Sequence, residues 1–408
     1  MLGTTSSSVQ VEGVHESADW SQWEATKRAP ASGDGNGFAT NFHDDLGLMA
    51  SLGVTDVRVT LEWARIEPVQ DKIDRDTLDR YDDILRHAAG VGLRPWITLH
   101  HTSLPGWFSE DGGSFADDKA REYLWMRHVD RCAERFGDVA AGWTPIEDPV
   151  GWAVRGYLLG SRPPGRRATT DLDMTTFFDM AEGALIADHL AARHLKAGGA
   201  TTMSSRNTPT IFGIVEDPQS QHEADAADKH VRRWARLLFD SWVGMAGDGE
   251  LAMPERRALT DHEWVADFDI VGIGFDAPIG VDAHGQLKPY AAAGTARSDN
   301  GFAPLPEELG VQLRRLSERL PDDADLAVSS NGVSTTNDGW RTDLLGETLD
   351  VIDGARDDGV RVAGYFHDTA IDGYEWRAGF DTERGFIARD RSVKASGELF
   401  GERAALVS

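Results

Sequence analysis

The chain contains a single cysteine, Cys132, in 408 residues. No intrachain disulfide can form, and a zinc site built from several thiolates is excluded. Cys132 falls in an apolar-periodic stretch with Val129, Ala133 and Phe136, and reads as an inert core thiol. Basic residues are scarce: 41 Lys and Arg stand against 68 Asp and Glu, a formal net charge of -27. Neutralising phosphates needs a basic surface, so this balance argues against nucleic acid or an anionic membrane as a general partner. No window is long and apolar enough to span a bilayer. The opening Met1-Leu2-Gly3-Thr4-Thr5-Ser6 has neither a basic region nor an apolar core, so no secretory leader is read and a cytoplasmic protein is expected. A phosphate cradle of the P-loop type is missing. Gly33-Asp34-Gly35-Asn36-Gly37 reads as a flexible turn, with no strand expected before it and no helix after it. His100 and His101 are neighbours on an expected strand and face opposite ways, so they form no metal-ligand pair. No cofactor and no metal are expected.

What the chain does have is alternation. Apolar, β-branched runs at Val57–Trp63, Pro95–His101, Ala140–Glu147, Thr210–Val215, Asp269–Phe275, Leu326–Ser329 and Val362–Phe366 read as strands, with a first one near Thr4–Gln10. Between them lie amphipathic segments. Thr77–Ala89 puts Leu78, Tyr81, Ile84, Leu85 and Ala88 on one face before Gly90. Met174–Lys196, His230–Val243, Glu307–Leu320 and Asp343–Asp358 behave alike. Eight strands alternating with helices, and no repeat or linker to divide them, predict one α/β domain: a single closed (β/α)₈ barrel.

In that fold the active site forms at the C-terminal ends of the strands. The polar residues expected there are Gln10 and Glu12, Glu62 and Trp63, His100 and His101, Glu147 and Asp148, Glu216 and Asp217, Asp276, Ser330 and Asn331, then His367, Asp368, Glu375 and Trp376. Carboxylates, imidazole and indole in one mouth suit a sugar, whose hydroxyls need paired donors and acceptors and whose apolar face stacks on an aromatic ring. Each residue alone also has a plain structural reading. The acidic pair in Trp143-Thr144-Pro145-Ile146-Glu147-Asp148-Pro149 could be a solvated turn, Trp63 barrel packing and His100 a satisfied core histidine. Alternation along a strand lets only one of Glu147 and Asp148 face straight into a site.

An ordered set of motifs over nearly the whole chain resembles the family 1 glycoside hydrolases, the β-glucosidase family. Ser7-Ser8-Val9-Gln10-Val11-Glu12-Gly13 is similar to that family's Ser-Ser-Tyr-Gln-Ile-Glu-Gly, which implies a glycone-binding role for Gln10. Arg58-Val59-Thr60-Leu61-Glu62-Trp63 resembles Arg-Phe-Ser-Ile-Ser-Trp and implies that Arg58 is the active-site arginine. Thr98-Leu99-His100-His101 resembles Thr-Leu-Tyr-His and makes His101 a glycone ligand. Asp372-Gly373-Tyr374-Glu375-Trp376 resembles Asp-Asn-Phe-Glu-Trp and assigns sugar binding to Glu375 and Trp376. The resemblance implies a small-molecule β-glucoside- or β-galactoside-like substrate.

Departures fall at the chemistry. Where the family has Asn-Glu-Pro, with the acid/base on Glu, this chain has Glu147-Asp148-Pro149. The family's nucleophile motif Ile-Thr-Glu-Asn-Gly is replaced by Val328-Ser329-Ser330-Asn331-Gly332, putting Ser330 at the nucleophile position. Asp276 stands where the family's supporting Tyr would be. A serine without an adjacent base is a poor nucleophile and brings no negative charge to an oxocarbenium-like transition state. Two expectations follow. One is an enzyme with a rebuilt, inverting site: Asp276 as base, Asp148 or Glu147 as acid, Ser330 as a water ligand. The other is an inactive sugar-binding barrel using Gln10, Arg58, His101, Glu375 and Trp376. Lyase or transferase chemistry on a glycoside is neither supported nor excluded. The basic turn of Arg162, Arg166 and Arg167 is expected to be solvated, the alternative being contact with an acidic aglycone or a uronate.

Overall fold

The structure, a computed structural model, describes residues 1–111, 113–217, 219–292 and 294–407. Eight parallel strands form the barrel: β1 (Leu2–Thr5), β2 (Asp56–Thr60), β3 (Arg94–His100), β4 (Gly142–Ile146), β5 (Arg206–Asn207), β6 (Ile270–Gly274), β7 (Asp325–Asn331) and β8 (Val362–Asp368). β1 lies between β2 and β8, pairing Thr4 with Val57 and with His367. The sheet runs β4-β3-β2-β1-β8-β7-β6-β5. Bridges Trp143↔Thr202 and Glu147↔Ser205 join its two edges and close it. Closure removes the unpaired edges of the sheet.

Two aromatic rings fill the lower barrel. Trp96 and Phe366 meet edge to face at 6.1 Å, with Met203, Ile270 and Ala327 packed around them. Glycines on neighbouring strands make the room: a Cβ on Gly142 would lie 2.2 Å from the Trp96 ring, and one on Gly3 2.7 Å from that of Phe366. The Trp96 indole N–H donates to the buried Asp56 at 2.8 Å, so the ring is anchored as well as packed. Around the strands, the helix Asp171–Ala197 starts at a capping box between Thr170 and Asp173. Its inner face meets the largest apolar cluster through Phe177, Ala181, Ala184 and Leu185.

The barrel prediction holds, with corrections to individual strands. The fifth strand is not Thr210–Val215. Ile211–Ile214 pairs instead with Ile279–Asp282 in a three-stranded side sheet completed by Leu287–Pro289. The barrel position is taken by the polar run Thr202–Asn207. Its polar side chains find partners inside: Arg206 donates to Asp188, and Ser205 bonds Glu147 and Ser329. An apolarity criterion passes over such a strand. The first strand also ends early, at Thr5, because Ser7 accepts from the Gln10 N–H and caps a short helix, Ser8–Glu12. Gly33–Gly37 is a turn as expected, but a helix, Phe38–Ser51, does follow it. The helix expected at His230–Val243 is longer: Gln221–Ala235, a π turn at Arg236–Asp240, then Ser241–Asp248.

Candidate active site

The C-terminal ends of the strands open on a cavity of about 230 Å³. Gln10, His101, Glu147, Asp148, Asp276, Ser330, Glu375 and Trp376 all line it, and Arg58 lies buried behind Glu147. Nine positions spread over the sequence are thus gathered by barrel closure.

The ends of β4 and β5 set the acidic pair. Glu147 receives the Arg58 guanidinium on Oε2 and the Ser205 hydroxyl on Oε1 at 2.8 Å. Burial, the largest single influence, works against its charge, but the Arg58 cation and the hydrogen bonds from Arg58 and Ser205, with His101 nearby, together hold the carboxyl below its ordinary range. Asp148 takes the left-handed conformation, φ 47°, at the cap of the short helix Pro149–Ala153. Its Oδ1 accepts from the Asn207 and Gly151 N–H groups, and its Oδ2 from Arg155 at 2.9 Å. Only glycine fits at 151, since a Cβ there would fall 1.9 Å from the Asp148 Oδ2. Burial raises the Asp148 pKa, with Arg155 opposing it. The two adjacent carboxyls are therefore driven in opposite directions.

Across the mouth, Arg384 joins two further acids. It reaches Asp276 Oδ1 at 2.7 Å and Asp368 Oδ2 at 3.0 Å. Burial disfavours the Arg384 charge, but Asp276, Asp368 and Glu375 together raise its pKa further above its ordinary value. The Gly332 N–H also donates to Asp276 Oδ1, at 3.1 Å. Among the described residues no donor reaches Asp276 Oδ2, and the side chain is 51% exposed. Ser330, on β7 beside Gly274 of β6, is half-buried.

The remaining wall is amide, carboxyl, imidazole and indole. Gln10 Nε2 donates to Glu375 at 3.3 Å, and Ser7 holds the Gln10 carbonyl at 2.8 Å. Burial, the main cause, lifts Glu375 from an ordinary 4.5 to about 7. The His101 ring stacks on Trp376 at 6.2 Å and bonds Thr102. Burial lowers its pKa to about 3, so it meets a ligand as a neutral ring. Arg162 also lies on the Trp376 ring, its guanidinium 4.5 Å from the centroid, and lines the cavity.

Several residues expected at the mouth lie elsewhere. Glu12 is buried against Arg65, Arg80 and Tyr81. Glu62 is held by Ser8 and Ser103 beneath the opening. His100 packs on Phe115 and Trp152, and His367 on Tyr365 and Phe386. Glu216 and Asp217 follow the displaced strand Ile211–Ile214 and are exposed on the side sheet. Trp63 packs on Trp107, Phe108 and His128 within the core. Arg166 and Arg167 are exposed, in keeping with a solvated turn, but Arg162 is not. Arg155, Asn207 and Arg384 were absent from the expected site although all three line it. Only Arg155 carried a sequence signal, its position seven residues after Asp148 on the same helical run. Arg384 comes from a loop beyond β8, where periodicity offers nothing.

No group of three or more side chains suited to a metal ion occurs among the described residues, and no helix among them is long and apolar enough to cross a membrane. The family model for glycosyl hydrolase family 1 matches residues 1–262 and 280–401. Beta-glucosidase A of Thermotoga maritima is 24% identical, over 97% of this chain and 93% of its own. Beta-glucosidase 4 of Oryza sativa is 28% identical over 98% and 93%, and a 6-phospho-beta-galactosidase of Staphylococcus haemolyticus 24% over 90% and 88%. In fold, the beta-glycosidase from Pyrococcus horikoshii superposes with a TM-score of 0.86 at 24% identity, covering 99% of this chain and 93% of that one. With the match spanning the barrel from its first strand to its last, the chain belongs to glycosyl hydrolase family 1.

Proposed function

We propose that the protein hydrolyses an O-glycosidic bond of a β-glucoside- or β-galactoside-like molecule by direct attack of water, with inversion at the anomeric carbon. Asp148 is the acid, Asp276 the base, and Ser330 a ligand for the attacking water. One observation carries the reading: Asp148 and Asp276 line a single cavity, and Asp276 keeps an oxygen with no donor on it. A free carboxylate oxygen can accept a proton from water, and a carboxyl whose pKa burial raises can give one to the leaving oxygen. Glu147 suits neither role: Arg58 favours its charged form, which disfavours an acid, and both oxygens are engaged, Oε2 by Arg58 and Oε1 by Ser205, which disfavours a base. It is assigned to fixing negative charge under the ring. Ser330 leaves no carboxylate at the position where the resemblance sets the covalent nucleophile, so the retaining route lacks its attacking group. Gln10, His101, Glu375 and Trp376 would hold the glycone.

A second reading, sugar binding without turnover, draws on the bonds that Asp276 makes with Arg384 and Gly332, a purely structural engagement. A proton NMR time course with aryl β-glycosides separates the two. The α-anomer appearing first is the expected result. The β-anomer appearing first would refute inversion, and absence of turnover together with saturable glycone binding would establish the second reading.

A further inference from the structure

Three arginines of the mouth are paired with carboxylates. Arg58 meets Glu147, Arg155 meets Asp148, and Arg384 meets Asp276 and Asp368. Arg162 has no carboxylate within 4 Å among the described residues. Other cations without a carboxylate partner among the described residues, such as Lys27, Arg166 and Arg167, are exposed, whereas Arg162 is half-buried. Nor is Arg162 a loose surface side chain. Its Nη1 donates to Thr102 at 3.0 Å, its guanidinium lies on the Trp376 ring, and its backbone N–H is bonded to the Arg155 carbonyl at 3.2 Å.

We propose that the mouth contains a subsite for an anionic group of the substrate, a carboxylate or a phosphate, with Arg162 as the residue that recognises it. The proposal rests on the reading of the mouth as a glycoside site. A half-buried cation without a counter-charge is costly, and a bound anion removes that cost. Burial is the largest influence against the Arg162 charge, and the neighbouring Arg155 cation comes next. The planar fork of a guanidinium matches both oxyanions, and its anchoring on Thr102 and Trp376 leaves little side-chain freedom to lose on binding. Of the carboxylates around Arg162, Asp148 is paired with Arg155, Asp276 and Asp368 are paired with Arg384, and Glu375 is bonded to Gln10.

The test compares 4-nitrophenyl β-glucoside, which is neutral, with three anionic probes: 4-nitrophenyl β-glucuronide, 4-nitrophenyl 6-phospho-β-glucoside and 4-carboxyphenyl β-glucoside. Calorimetric Kd and initial-rate kcat/KM are measured for the intact protein, Arg162→Gln and Arg162→Lys. At least one anionic probe should be favoured by about ten- to hundredfold, as for a charge-assisted hydrogen bond. That preference should fall to near unity in Arg162→Gln, survive in part in Arg162→Lys, and weaken with added salt. The favoured probe tells a sugar carboxylate, a sugar phosphate and an aglycone carboxylate apart. A preference for the neutral probe, a preference unchanged in Arg162→Gln, or no binding of any probe would overturn the subsite. Anion-selective binding that Arg162→Gln abolishes, with no turnover of any probe, would sustain the subsite and refute the hydrolytic reading.

Discussion

Arg58 on β2 and Glu147 at the end of β4 form an ion pair across the floor of the mouth, with the arginine fully buried. Arg58 also donates through Nη2 to the Ser329 carbonyl on β7 at 2.8 Å, so one guanidinium ties three strands of the barrel. The resemblance to the family's motifs implies an amide at the position of Glu147, just after β4, and a carboxylate at the position of Ser330 on β7.

Removing the charge of Glu147 should destabilise the fold. Glu147→Gln preserves shape but leaves a buried arginine uncompensated, and a loss of about 3–5 kcal/mol is expected in urea unfolding. Pairing it with Arg58→Met should recover most of the loss. An unchanged unfolding midpoint in the single variant would show that the pair contributes nothing.

Asp148→Asn separates chemistry from structure. Asparagine is as good a helix cap as aspartate and tolerates the left-handed backbone, so the fold should survive. Loss of the acid should lower kcat by about 10²–10⁴-fold for poor leaving groups and by much less for nitrophenolate. An equal loss for both classes would remove Asp148 from the acid role.

Asp276→Asn should abolish turnover while leaving the sugar bound. Arg384 keeps its bond to Asp368, so the loop beyond β8 has a remaining anchor. Wild-type rates in this variant, on any established substrate, would refute the base assignment.

Glu375 gives the mouth a pH response. Its pKa in the folded protein stands at about 7, above the ordinary 4.5. Its stabilising contribution is fully present below 4.5 and is lost as the pH climbs through about 7. Ligand affinity should move the other way, since the ionised carboxylate accepts hydroxyl hydrogen bonds on both oxygens. Calorimetry should show glycone binding strengthening from about pH 6 to 8, with the trend flattened in Glu375→Gln. Weaker binding over that interval would contradict a glycone role for Glu375.

The sequence by itself determined the barrel and most of the residues around its mouth. Alternating apolar runs and amphipathic segments are enough for the architecture, because burial enforces a period of two in strands and 3.6 in helices. Family motifs carried Gln10, Arg58, His101, Glu375 and Trp376, since each sits at a fixed offset from an apolar run. The tertiary structure decided what depends on closure. The run leading into β5 is polar, and Asp188, Glu147, Asp148 and Ser329 bond its Ser205, Arg206 and Asn207, groups that meet it once the barrel has closed. Which acids face the cavity, and which, like Glu12 and Glu62, are held beneath it, follows from partners distant in the chain. That no carboxylate stands within 4 Å of Arg162 among the described residues is of the same kind. A lone charge is defined by everything that fails to reach it, and only the packed fold decides that.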